Sequence, residues 1–378
     1  MPERPARLSR LPQQYFTALL ARVSEAAALD GEPLVDLGRG NPEVGPPQHV
    51  IDALTTAAND PSAHGYPPFR GLPALREAIA ARYGALYGVE LDPHTEVTIM
   101  PGTKTAICEL ALVLAERGST IVLPDPYYPD YPSGPALAAA QTGYVPLGRG
   151  AGWGPDFGQA PREDVSAVFL NYPSNPCAVC APTGAFALAV AYAHNTGAAI
   201  VHDFAYGDLV FDGRAPQSFL AEPGAKEVGV EMFSMSKTYG MAGWRLGFVV
   251  GNAEIVSRLD LLADHVRVGI FTPIQHAGIA ALTGPQDSVV ERVATYQRRR
   301  DRVREVLPDL ECEGSFYLWW ELSDGLTAER LLTEFRLAVA PGEGFGSRGA
   351  GWARLSLAIT DKVLETGLER LSAVLSRS

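Results

Sequence analysis

The chain has 378 residues, more than one hydrophobic core usually organises, so two domains are expected. Its 47% hydrophobic content, mean hydropathy of +0.02 and formal net charge of -12 describe a globular protein and exclude a nucleic-acid or anionic-membrane surface. No run of about 18 apolar residues occurs and Met1-Pro2-Glu3-Arg4-Pro5 lacks a hydrophobic signal core, so a cytoplasmic location is expected.

In chain order, residues 12–37 are expected to pack against the C-terminal part. Short apolar runs at 97–100, 120–123, 167–170, 199–201, 232–233 and 248–250 then read as buried strands. Ala-rich segments with helical spacing lie between them, at 105–116, 135–141 and 185–195. This alternation predicts an α/β fold with a mostly parallel sheet and helices on both faces. Beyond residue 275 the character changes. A charged helical stretch at 296–305 carries arginines at 298, 299, 300, 302 and 304 and is read as a solvated helix face. Strands at 315–322 and 352–358 and a helix at 362–376 complete a smaller α+β unit. The expected boundaries are 1–45 for an N-terminal segment joining the small domain, 46–275 for the large domain and 276–378 for the small one.

Four cysteines do not make a disulfide framework in so long a chain. Cys177 and Cys180 form C-x-x-C, but a zinc site would want a second ligand pair and a redox site a helix start in a small domain, so no metal site is expected.

Open α/β sheets bind ligands beyond the carboxyl ends of their strands, and the polar residues collect there. Lys237 stands out, in Ser234-Met235-Ser236-Lys237-Thr238-Tyr239-Gly240 with Gly243-Trp244-Arg245 behind. A desolvated lysine crowded by positive charge condenses with aldehydes. Ser234 and Arg245 suit a phosphate ester held beside it, and an aldehyde bearing a phosphate is pyridoxal phosphate. Gly102, Thr103 and Lys104 open a helix, which is either a simple capped helix or a further phosphate contact. Asp203 ends an apolar strand, where an ionised carboxylate wants a partner such as a protonated pyridine nitrogen, or else caps a helix. Tyr206 and Asn175 are within the same reading as contacts to a ring hydroxyl. Asp125-Pro126-Tyr127-Tyr128 offers an aromatic to stack on a ring. Arg354 alternates with apolar neighbours, as a carboxylate clamp or a structural ion pair.

Together these residues resemble the fold-type I pyridoxal-phosphate enzymes, specifically the class I/II aminotransferases, over nearly the whole chain. The motifs run in the family's order: Gly38-Arg39-Gly40-Asn41-Pro42, His64-Gly65-Tyr66-Pro67, Asn171-Tyr172-Pro173-Ser174-Asn175-Pro176, Asp203-Phe204-Ala205-Tyr206, Ser234-Met235-Ser236-Lys237 and Arg354-Leu355-Ser356. The resemblance is strongest to the bacterial methionine (methionine-salvage), alanine and LL-diaminopimelate aminotransferase group. It implies a three-layer sandwich around a mostly parallel seven-stranded sheet plus the smaller α+β domain.

By that resemblance Lys237 binds the cofactor aldehyde and shuttles the proton, with Asp203 and Tyr206 completing the catalytic set. Asp203 pairs the pyridine nitrogen, Asn175 and Tyr206 touch the phenolic oxygen, and Tyr128 stacks on the ring. Gly102, Thr103, Lys104, Ser234 and Arg245 surround the phosphate. Tyr66 reaches the phosphate of a neighbouring subunit, which implies a homodimer with shared active sites. Arg354, Gly40 and Asn175 bind the substrate's α-carboxylate. The implied reaction is ping-pong transfer of an amino group from an L-amino acid to a 2-oxo acid. One departure is Cys177-Ala178, where the family usually continues with Thr-Gly; the glycine permits a tight turn at little steric cost. Two rival readings remain. A C-S β-lyase uses the same fold, and Ser234-x-x-Lys237 formally matches a serine acyl-enzyme, although Lys237-Thr238-Tyr239 and Ser323-Asp324-Gly325 supply that family's other elements poorly.

Overall fold

A computed structural model describes residues 4–323 and 325–376. The first three residues of the opening segment, Asp324 of Ser323-Asp324-Gly325 and residues 377–378 lie outside the described residues.

The main sheet has eight strands rather than seven. From one edge they are Val97–Met100, Gly247–Gly251, Gly229–Ser234, Ala199–Asp203, Val165–Asn171, Thr120–Asp125, Gln141–Gly148 and Gly154–Pro155. The pairs from Gly229–Ser234 through Gln141–Gly148 are parallel, while Gly247–Gly251 and Gly154–Pro155 pair antiparallel with their neighbours. Central strands such as Gly229–Ser234 are buried along their whole length, as expected of strands covered on both faces.

The two strands without a sequence signal are the edge pair. Gln141–Gly148 contains Gly143 and Pro146 and is mostly exposed or half-buried, so no continuous apolar run marks it. The helix expected over 135–141 is shorter, Ser133–Ala138. It stops because Ala139 turns left-handed at φ 57° and feeds that strand. The other expected helices stand close to their predicted limits, as Thr103–Leu114 and Ala185–Thr196.

The C-terminal part builds a three-stranded antiparallel sheet from Tyr317–Glu321, Trp352–Ser356 and Ala340–Pro341, flanked by Asp287–Arg304 and Asp361–Leu375. Val35–Asp36 pairs in parallel with Leu337–Ala338. The arginine-rich helix departs from a solvated face. Arg299 and Arg300 are 8% and 2% exposed; Arg299 pairs with Glu43 and Asp361, and Arg300 with Asp212 at 2.6 Å. Buried guanidinium groups need such full pairing to offset lost hydration.

Candidate active site

The carboxyl ends of three adjacent strands set the floor of the site. Asn171 and Asp203 are register partners, and the Asn171 side-chain amide donates to the Asp203 carbonyl at 2.8 Å. Ser234 ends the next strand and caps the turn Met235–Thr238, its hydroxyl accepting from the Ser236 amide at 3.2 Å. That turn carries Lys237 over the strand ends. Its ammonium donates to the Gly40 carbonyl at 3.4 Å and lies 5.3 Å from the Phe316 ring centre. Burial chiefly, with the Arg354 and Arg245 guanidinium groups adding, holds the Lys237 pKa below the ordinary lysine value, while Tyr317 pulls the other way.

Asp203 is 5% exposed. Its Oδ2 accepts from the Tyr131 hydroxyl at 2.9 Å and its Oδ1 from the Ala205 amide at 3.1 Å. Burial pushes its carboxyl up to about 6, against the opposing pull of those two hydrogen bonds. Tyr206 is also buried, and burial and the neighbouring Tyr317 raise its hydroxyl well above the ordinary tyrosine value.

Arg354 is fully buried. It donates to Asn175 Oδ1 at 2.9 Å and to the Gly38 carbonyl at 3.2 Å, and its Nε has no partner. Its guanidinium sits 3.9 Å from the Tyr317 ring centre and 4.9 Å from that of Phe345. No carboxylate of the chain pairs with it among the described residues, so the structural ion pair that competed for this residue is absent.

At the opposite end, Gly102 adopts φ 85° before the helix Thr103–Leu114, and a Cβ there would collide with the Arg245 guanidinium. Glycine leaves room there for the Arg245 guanidinium beside the helix start. Lys104 pairs with Asp130 at 2.9 Å, and Asp130 also accepts from the Tyr128 hydroxyl at 2.6 Å.

These groups surround one cavity of about 560 Å³. Gly40, Thr103, Lys104, Tyr128, Asn175, Asp203, Tyr206, Ser234, Lys237, Arg245 and Arg354 all line it. Gly102 sits just behind, against Arg245, and Tyr66 stands apart at 91% exposed. Sequence reasoning placed Tyr15 and Arg39 at the pocket mouth and Tyr131 in the aromatic run, but missed the Tyr131 hydrogen bond to Asp203, Tyr317, and the helix Tyr15–Ala27, whose Phe16, Leu19, Leu20 and Val23 form one wall. Only the helical spacing of those four residues could have signalled it. Cys177 is buried and its thiol is pushed up by burial, which leaves it a packing residue.

The set fits pyridoxal phosphate: an amine of depressed pKa, a buried carboxylate short of a cation, and an arginine with free amides at a helix start.

Comparison with known proteins agrees. Residues 32–371 match the family "Aminotransferase class I and II". The chain is 40% identical to the L-glutamine--4-(methylsulfanyl)-2-oxobutanoate aminotransferase of Bacillus subtilis, covering 96% of this chain and 94% of that one. It is 37% identical to the LL-diaminopimelate aminotransferase of Moorella thermoacetica, covering 98% of both. Among solved structures, substrate-bound BacF from Bacillus subtilis superposes with a TM-score of 0.92 at 37% identity, covering 99% of this chain and 98% of that one. The chain therefore belongs to the class I and II aminotransferases and is a pyridoxal-phosphate-dependent enzyme of amino-group transfer.

Proposed function

We propose that Lys237 is the residue that carries the cofactor and the proton in this transamination. The observation that supports it is an amine of lowered pKa opening onto the same cavity as buried Asp203 and Arg354. When bound, pyridoxal phosphate supplies an electrophilic carbonyl for amines and a cationic ring that accepts the electrons released when the donor's Cα–H bond breaks.

The chain's own groups do the rest. Asp203 holds a proton on the ring nitrogen, and a carboxylate buried with one hydrogen bond on each oxygen still has a lone pair for it. Asn175 and Tyr206 contact the phenolic oxygen, and Tyr128 covers one ring face. Gly102, Thr103, Ser234 and Arg245 grip the phosphate, and Lys104, tied to Asp130, adds positive charge beside it. Arg354 takes the α-carboxylate, with Asn175 and Gly40 alongside; its unpartnered Nε fits that role. The Lys237 amine would move the proton from the donor's Cα to the cofactor's carbonyl carbon, two bonds away across the nitrogen, and its lowered pKa would leave more of it as free base than an ordinary lysine has.

Exposed Tyr66 fits a contact made to a second copy, so the functional unit is a homodimer with shared sites. The large cofactor-binding unit, residues 46–275, is completed by 1–45 and 276–378. The enzyme works in the cytoplasm on small amino and 2-oxo acids.

Lys237→Ala tests the core of this reading. Turnover should fall by at least about 10⁴-fold, on the scale of losing a nucleophile and base together. The visible absorbance of lysine-bound cofactor should vanish as well. An active, coloured variant would refute it.

A further inference from the structure

The helix Tyr15–Ala27 contains no buried residue, yet four apolar side chains recur along it at i, i+3, i+4 and i+7: Phe16, Leu19, Leu20 and Val23. That spacing places them on one face, and the face lines the cavity. Polar contacts along the helix hold it in place, with Tyr15 and Leu19 resting on the edge of the core. The Tyr15 hydroxyl donates to the Pro341 carbonyl at 2.7 Å, Gln14 donates to Asp130, and Arg22 pairs with Glu329. Leu20 remains 46% exposed. Leu19 packs against the edge of the core and Phe16 lies 5.9 Å from the Tyr128 ring, but the stripe as a whole fronts the cavity and loses its remaining water only when something apolar enters.

Arg39 lies on the exposed rim of the same cavity. Its neighbours Gly38 and Gly40 accept from Arg354 and Lys237, but Arg39 makes no hydrogen bond or ion pair among the described residues. The other cations in the lining are engaged: Lys104 with Asp130, Arg245 with the Ala242 carbonyl, Arg354 with Asn175. A transaminase must seat two substrates by turns in one pocket. A side-chain carboxylate laid against the stripe would lose hydration without a partner, so a second carboxylate has one free cation to meet.

We infer that the two substrates are recognised by separate devices. The stripe Phe16-Leu19-Leu20-Val23 packs on the side chain of an apolar amino-acid donor, and Arg39 pairs with the distal carboxylate of a dicarboxylic oxo-acid acceptor. This rests on the assignment of Arg354 to the α-carboxylate, which both substrates share.

The holoenzyme is assayed with alanine, 2-aminobutyrate, norvaline and norleucine as donors. Each added methylene should raise kcat/KM roughly threefold or more; a flat series would overturn the stripe's role. Leu20→Asp, on an exposed position that leaves the fold intact, should lower kcat/KM for norleucine relative to alanine by about tenfold. Arg39→Gln should raise KM for 2-oxoglutarate relative to pyruvate by about tenfold, the scale of one charge-assisted contact. Equal changes for the two acceptors would overturn the role of Arg39. Arg354→Lys should raise KM for every substrate; if it does not, the underlying α-carboxylate assignment fails instead.

Discussion

Asp203 is a carboxylate kept from water, and that placement has a measurable thermodynamic signature. Its carboxyl stands at about 6 in the folded chain against an ordinary 3.8. The folded state thus binds the proton more tightly than the unfolded state does. Its contribution is most favourable below the unfolded value and is lost as pH rises through about 6. By pH 8 the cost of keeping the ionised group buried is about 3 kcal/mol. Asp203→Asn should therefore make the cofactor-free protein more resistant to urea at pH 8, by at most that amount, with the gap narrowing toward pH 4. A gap independent of pH would disprove it. Tyr131→Phe acts on the same group. It removes the hydroxyl that donates to Oδ2, leaving Ala205, His202 and Lys237 as the groups that still favour the ionised form, with the hydroxyls of Tyr128 and Tyr206 nearby. The acid limb of kcat/KM should then move to higher pH; an unmoved limb would mean that Tyr131 only packs. Lys237, Asp203 and Arg354 could be read from the sequence because each sits in a short run of unmatched chemistry. Tyr131 and Tyr317 could not, since their hydroxyl and ring reach the site from other elements.

The turn after Asn175 carries a departure that has a physical cost at the level of one element. Ala178 stands at φ 61°, where a Cβ crowds the following carbonyl, and it is fully buried. The residue is held there because its amide donates to the Ser174 carbonyl and its own carbonyl accepts from the Glu313 and Gly314 amides. Ala178→Gly should stabilise the protein by about 1 kcal/mol, read as a higher urea midpoint at unchanged slope. A lower midpoint would show that the buried methyl group outweighs the backbone relief. The sequence made this glycine-free turn visible, as it did the central strands and most helices, because local pattern and final environment coincide there. It did not reveal Gln141–Gly148, whose glycine and proline are tolerated at an edge. Nor did it distinguish inward Arg299 and Arg300 from their outward neighbours, since Glu43, Asp361 and Asp212, which receive them along with the adjacent Asp301, lie 62 to 256 residues away in the chain.

At the scale of the whole molecule, Tyr66 separates a monomeric account from a dimeric one. It is 91% exposed and outside the cavity, so a lone chain has no use for it at its own site. Sedimentation equilibrium should give about twice the 40.4 kDa chain mass, and Tyr66→Phe should weaken cofactor retention by about tenfold if its hydroxyl meets a partner's phosphate. A monomer at assay concentration would exclude shared sites. The helix Tyr15–Ala27 contributes no fully buried side chain to the apolar cores and touches one of them only through half-buried Tyr15 and Leu19. Stability and diet are consequently written in largely different parts of this chain. Exchanging Phe16, Leu20 or Val23, none of them buried, should cost the fold little while altering the substrate preference proposed above, a cheap route by which a duplicated copy acquires a new substrate.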